Sequence, residues 1–177
     1  MGINTTLITG PSNLIFPRDL KVKKVTTADE MLNEVKKTLP VDLAVCAAAV
    51  ADFKPTEKNI TKIKKEKLKF NKINFVNNND ILEYISKNNK HRPRLVAGFS
   101  AETENLTKNS INKMKKKHCD FIFANDVSQK DIGFNSDYNK ITVIDKKGVV
   151  KIIPKNKKSF IANKIAEILL DKLLIND

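Results

Sequence analysis

Phosphate and amine chemistry calls for carboxylates, ammonium groups and amides held just outside a folded framework, and this sequence offers them in a few short segments. Four of these follow apolar runs: Gly10-Pro11, Ala47-Ala48-Ala49-Val50-Ala51-Asp52, Gly98-Phe99-Ser100-Ala101-Glu102-Thr103 and Ala124-Asn125-Asp126. Open α/β sheets take their ligands beyond the carboxyl ends of the strands, so all four are expected on one edge of a sheet. The alanines would let a ligand or a backbone approach closely, and they suit tight packing equally well. Asp52 could accept a hydrogen bond from an amino or hydroxyl group, or cap a helix. Lys62-Ile63-Lys64-Lys65 sets alternate charges along an extended chain, which spacing alone leaves as a solvated loop. Lys113 and Lys117 are four residues apart and share a helix face, where they meet either phosphates or water.

Other reactive types are sparse. Cys46 and Cys119 lie in strand-like segments without a CxxC pair, and His91 and His118 lie in Lys-rich connecting or helix-end stretches. That pattern predicts buried reduced thiols and no zinc cage or histidine triad.

The elements that must position these groups alternate. Apolar runs at Thr5–Ile8, Leu43–Val50, Leu95–Phe99 and Phe121–Ala124 read as buried strands. Thr27-Ala28-Asp29-Glu30 has the form of a capping box, and Met31, Leu32, Val35 and Leu39 follow at helical spacing. A second helix starts near Asn77–Asp80 and carries Ile81, Leu82 and Ile85, and a third runs from about Glu102 to Lys117. The predicted fold is therefore α/β, a doubly wound, mostly parallel, Rossmann-like sheet. Beyond Asp126 the pattern changes to half-exposed strands around Asp145-Lys146-Lys147-Gly148, which predicts a β-hairpin extension over 138–154. Ser159 is the expected N-cap of a C-terminal helix carrying Ile161, Ile165, Ile168, Leu169 and Leu173. Residues 1–177 are read as a single domain, with 54–79 a mobile loop region containing at most short strands.

A chain of 177 residues with 41% hydrophobic and 30% charged residues can bury a core unaided. The net charge of +13 raises the prospect of nucleic-acid binding, but three arginines and Phe residues placed inside apolar runs are a poor match to base readout. No apolar run reaches about 18 residues, and no secretory leader pattern opens the chain, so a cytoplasmic protein with no membrane or nucleic-acid partner is expected.

Six segments in order resemble the phosphopantothenate-cysteine ligase family, the synthetase half of the bifunctional bacterial proteins that make 4'-phosphopantetheine. They are Leu7-Ile8-Thr9-Gly10-Pro11, Ala48-Ala49-Val50-Ala51-Asp52-Phe53-Lys54-Pro55, Lys62-Ile63-Lys64-Lys65, Gly98-Phe99-Ser100-Ala101-Glu102-Thr103, Ala124-Asn125-Asp126-Val127 and Gly133-Phe134-Asn135-Ser136-Asp137. The resemblance implies a CTP-dependent ligation of 4'-phosphopantothenate and cysteine through an acyl cytidylate, with Mg2+, in a homodimer whose sites use both protomers. It implies that Ala47, Ala48, Ala49 and Asp52 contact the nucleotide and that Lys62 is the catalytic lysine on a loop closing over the acyl cytidylate. Asn79, Asp80, Ile81 and Leu82 fall at further nucleotide- or substrate-binding positions. Phe99 would pack against the nucleotide, Asn125 would hydrogen-bond in the same pocket, and Lys113 and Lys117 would face its phosphates. The resemblance names no metal ligand.

Gly2 aligns with the end of the family's first helix. A strand, a Ser/Gly-rich phosphate-cradling loop and that helix are thus expected to be missing from the chain, as is the flavin-dependent decarboxylase half, so no flavin is expected. Two other readings follow from the same features. One is an inactive or split-enzyme subunit completed by a separate N-terminal segment or decarboxylase polypeptide. The other is a basic nucleic-acid-binding module, which would bind RNA or DNA in a salt-dependent way and ignore CTP.

Overall fold

The computed structural model describes residues 2–57, 73–87, 90–128 and 136–175. They form two units, residues 1–38 with 48–80 and residues 39–47 with 81–177.

The second unit holds most of the apolar core. Its five-stranded sheet has the order β3-β6-β7-β8-β9, comprising Leu43–Cys46, Leu95–Glu102, Phe121–Asp126, Tyr138–Asp145 and Gly148–Lys157. β3, β6 and β7 run parallel, whereas β8 is antiparallel to β7 and β9 to β8. The sheet is thus mixed, with the hairpin forming its far side. Leu95 and Val96, Phe121 and Ile122 are all buried, as expected of strands covered on both faces.

One face carries Leu95, Ala97, Phe121, Phe123, Ile141, Val143 and Ile153, packed against Ile161, Ile165 and Leu169 of α4 (Lys158–Ile175). The i, i+4, i+8 spacing of those three residues makes the helix stripe. On the other face, Leu82 of α2 (Ile81–Lys87) lies directly over Gly98: a Cβ added to Gly98 would come within 2.5 Å of Leu82 Cδ2. α3 (Leu106–Lys117) contributes Ser110 and Met114 to the buried residues.

The first unit contains two small sheets. β1 (Thr6–Thr9) and β2 (Lys21–Lys24) are parallel, and β4 (Phe53–Pro55) pairs antiparallel with β5 (Phe75–Asn77). α1 (Ala28–Thr38) buries Met31 and Leu32. The capping box is present in altered form. Thr27 Oγ1 accepts from the Glu30 amide at 3.2 Å, while the Glu30 carboxylate reaches the Thr26 amide at 2.7 Å rather than that of Thr27. Lys54 of β4 is ion-paired with Asp29 in the first turn of α1.

Several boundaries differ from expectation for identifiable reasons. β3 stops at Cys46, so Ala47–Val50 leaves the strand, and the Val50 amide donates to Ala48 O at 3.1 Å in a tight turn. β6 continues to Glu102 because its ladder with β7 persists to the pair Glu102↔Asp126. α3 therefore begins only at Leu106, after Asn105 in the left-handed region (φ 49°). Ser159 is not an N-cap: β9 passes straight into α4, and the Lys158 amide is taken by Asp137 O at 2.8 Å. Gly10-Pro11 follows β1 in the first unit, outside the five-stranded sheet. Among the described residues, no helix is long and apolar enough to cross a membrane.

The amino edge of the five-stranded sheet is braced by Asp120. Its carboxylate accepts from the Val96 amide at 2.9 Å and pairs with Arg92 at 2.8 Å and with Lys146 of the β8–β9 turn at 3.0 Å. Burial alone would raise the Asp120 pKa, but the Val96 amide, Lys146 and Arg92 together hold it below the ordinary carboxylate range. The contribution to stability is therefore complete above the unfolded-state pKa of about 3.9 and is lost as pH falls through the lower folded value. Asp120→Asn is expected to cost about 2 kcal/mol at pH 7, and the gap from wild type should begin to narrow only below about pH 4, closing as pH falls through the lower folded value. Urea melts at pH 7 and pH 3 check this. A loss under about 0.5 kcal/mol at pH 7 would show that the charged contacts contribute nothing.

Candidate functional site at the carboxyl ends of the strands

In the second unit the carboxyl ends of β3, β6 and β7 lie side by side, with Cys46 opposite Gly98 and Ala101 opposite Asn125. Paired residues point to the same face of a sheet. Phe99 and Asn125 therefore share the α4 face, Phe99 beside Phe123 with ring centroids 5.4 Å apart, and Ala101 leaves space next to the Asn125 amide. Val45, on that face of β3, is 44% exposed, and Phe99 is only half-buried, so this corner of the sheet is open. Ala47 follows β3 at the same edge and is exposed.

Asn125 is also open on its other flank. The β7–β8 ladder ends at Ala124↔Thr142, and β8 is irregular in register with β9 between Asn139 and Ile141. Asn125 lies beyond the last β8 partner. An amide there can both donate to and accept from a ligand.

α3 supplies ammonium groups. Lys113 Nζ donates to Phe99 O at 3.0 Å, which brings a positive charge to the end of β6. Lys117 Nζ pairs with Glu83 of α2 at 3.2 Å. Glu83 also pairs with Lys87, and the hydrogen bonds from Lys87 and then Lys117 lower its pKa. Lys113 has three ammonium donors, so its one bond to Phe99 O leaves capacity for phosphate oxygens.

Glu102, whose role the sequence reading did not single out, anchors this edge. It accepts from Ser100 Oγ and, at 3.2 Å, from Asn109 Nδ2, and its carbonyl accepts from the Val127 amide at 3.0 Å. Ser100 and Glu102 are two apart in a strand and so share a face, a relation legible from the sequence once β6 is known to reach Glu102.

Of the α2 positions, Ile81 is buried, leaving only its backbone for a ligand, and Leu82 covers Gly98. In the first unit, Ala48, Ala49, Asp52, Asn79 and Asp80 are all exposed. The Asn78 amide donates to Asp52 O at 2.8 Å, which ties the segment carrying Asp52 to the one carrying Asn79 and Asp80. Lys62 and its neighbours, like Gly133-Phe134-Asn135, lie outside the described residues.

Among the described residues no group of three or more His, Cys, Asp or Glu could hold a metal ion. Cys119 is buried, and burial pushes its thiol up to about 11, which makes it inert at neutral pH.

The profile of the DNA/pantothenate metabolism flavoprotein C-terminal domain family matches residues 1–173. The coenzyme A biosynthesis bifunctional protein CoaBC of Borreliella burgdorferi is 39% identical over 171 residues, covering 96% of this chain and 42% of the relative. That of Escherichia coli K12 is 35% identical over 176 residues, covering 98% of this chain and 42% of the relative. The chain thus spans less than half the length of these proteins. Among solved structures, the C-terminal domain of CoaBC superposes with a TM-score of 0.75 at 26% identity, covering 97% of this chain and 77% of that one.

Proposed function

Because the chain belongs to the DNA/pantothenate metabolism flavoprotein C-terminal domain family, we propose that it carries the phosphopantothenate-cysteine ligase reaction of coenzyme A biosynthesis. The carboxylate of 4'-phosphopantothenate attacks the α-phosphorus of CTP and pyrophosphate leaves. The cysteine amine then attacks the acyl carbon of the acyl cytidylate and CMP departs. A carboxylate oxygen is a poor leaving group until it is bonded to phosphorus, so the nucleotide supplies the activation. The protein's task is positioning and the balancing of charge.

The observation that carries this reading is the open carboxyl edge of the parallel strands, where Phe99 and Asn125 share one face and Lys113 donates to the Phe99 carbonyl. An aromatic face, an amide with donor and acceptor, and an ammonium suit a base, its polar edge and its phosphates in turn. Asp52 and the alanines before it are assigned to the nucleotide as well, and Lys62 to the reacting groups. Mg2+ is assigned to the CTP phosphates, whose charge it would offset. A homodimer in the cytoplasm is part of the same proposal.

The test is pyrophosphate release from CTP with 4'-phosphopantothenate, cysteine and Mg2+, using this chain alone and joined to the N-terminal segment of a CoaBC relative. ATP, GTP and UTP serve as competitors. CTP-dependent release in either form is the expected result, and release in neither would overturn the assignment.

A further inference from the structure

Asn78 stands one residue beyond β5 and grips two successive carbonyls across from it. Its backbone amide donates to Asp52 O and its side-chain Nδ2 to Ala51 O, both at 2.8 Å. In a regular strand successive carbonyls point to opposite edges. One residue can hold both only if the chain bends at Ala51–Asp52, and here β4 begins just after, at Phe53. The Asn78 Oδ1 atom is buried and has no partner among the described residues. A buried acceptor left unsatisfied carries a cost, so the orientation of this amide serves its donor. A residue without that donor would leave Ala51 O unbonded and the bend free to relax.

We infer that Asn78 is a positioning residue that sets the bend presenting Ala48, Ala49 and Asp52 to the nucleotide. The inference rests on the ligase reading for its ligand, and on the two hydrogen bonds for its geometry. The same residue leads directly into Asn79-Asp80, so one side chain sets the spacing of both segments of the first unit assigned to CTP.

Asn78→Asp keeps the shape and replaces the donor with an oxygen facing Ala51 O. It is expected to raise the KM for CTP about tenfold, the equivalent of one lost hydrogen bond. The kcat should stay within about twofold and the KM for cysteine should not move, a split that general destabilisation would not produce. Asn78→Gln, which retains a donor, should recover part of the loss. In parallel, hydrogen exchange at the amide of residue 78 should speed up about tenfold in the Asp variant as its bond to Asp52 O loosens. An unchanged KM for CTP in an active Asp variant would overturn the inference, as would unchanged exchange at that amide. If wild type and variant both ignore CTP, the ligase reading fails, and the exchange measurement still decides whether Asn78 sets the bend.

Discussion

Lys62→Gln is expected to lower the turnover of CTP, 4'-phosphopantothenate and cysteine by about 100- to 1,000-fold, the range lost when one preorganised donor to a developing charge is removed. The substitution keeps most of the side-chain length and deletes the ammonium. An effect confined to the transition state would lower kcat and kcat/KM together and leave the KM for CTP within a few-fold. Lys62 lies outside the described residues, so the expectation stands on the family match and on its setting in the chain. Thr56 and Asn74, on either side of that segment, are hydrogen-bonded at 2.9 Å where the β4–β5 ribbon ends, and Asp52 is held by Asn78 at the ribbon's other end. Single-turnover formation of the acyl cytidylate, with the melting temperature as a control for folding, is the measurement. A rate within threefold of wild type would remove Lys62 from the chemistry.

Phe123→Ala is the largest expected loss of stability, about 3–5 kcal/mol, a large share of the 5–15 kcal/mol typical of a domain. Phe123 is fully buried on the α4 face, between Phe99 and a stacked Phe121 whose ring centroid is 6.3 Å away, and it pairs across the ladder with Val143. Ile141, Val143 and α4 fix the walls, so the void can collapse only partly. Urea unfolding should show the midpoint falling with little change in slope. A cost under 1 kcal/mol would mean that the sheet and α4 are not packed as described. Phe99 would also lose its neighbour, so a rise in the KM for CTP should accompany the lost stability.

The parts of this fold visible in the sequence were those that bury long apolar runs. β6 and β7 announce themselves as continuous hydrophobic stretches, and α1 through Thr27 and Glu30. The β8–β9 hairpin follows from the alternation around Asp145–Gly148. β2 escaped because Lys21–Lys24 holds one apolar residue, Val22, and becomes a strand only by pairing with β1. β4 and β5 are three residues each, and their register comes from contacts across a long intervening segment. The overestimate at Leu43–Val50 has a related cause: alanines extend an apolar run without the β-branched bulk that holds a strand. Of the proposed site, the positions at strand ends, Phe99 and Asn125, could be read from the apolar runs that precede them. The contacts of Glu102 and Asn78 were not legible, because their partners are brought near only by the fold.

The order of strands also bears on how the chain reaches this state. β8 and β9 are joined by two residues and can zip from local contacts alone. β3 gains its ladder only by finding Leu95–Gly98, far along the chain, so the entropy of loop closure falls most heavily on that edge. β3 is therefore expected to dock last, with φ-values near zero at Leu43 and well above that at Ile141 in refolding kinetics. The strand that leads to Ala47 would then join a sheet already built, and changes there would alter how fast the protein comes apart more than how fast it forms.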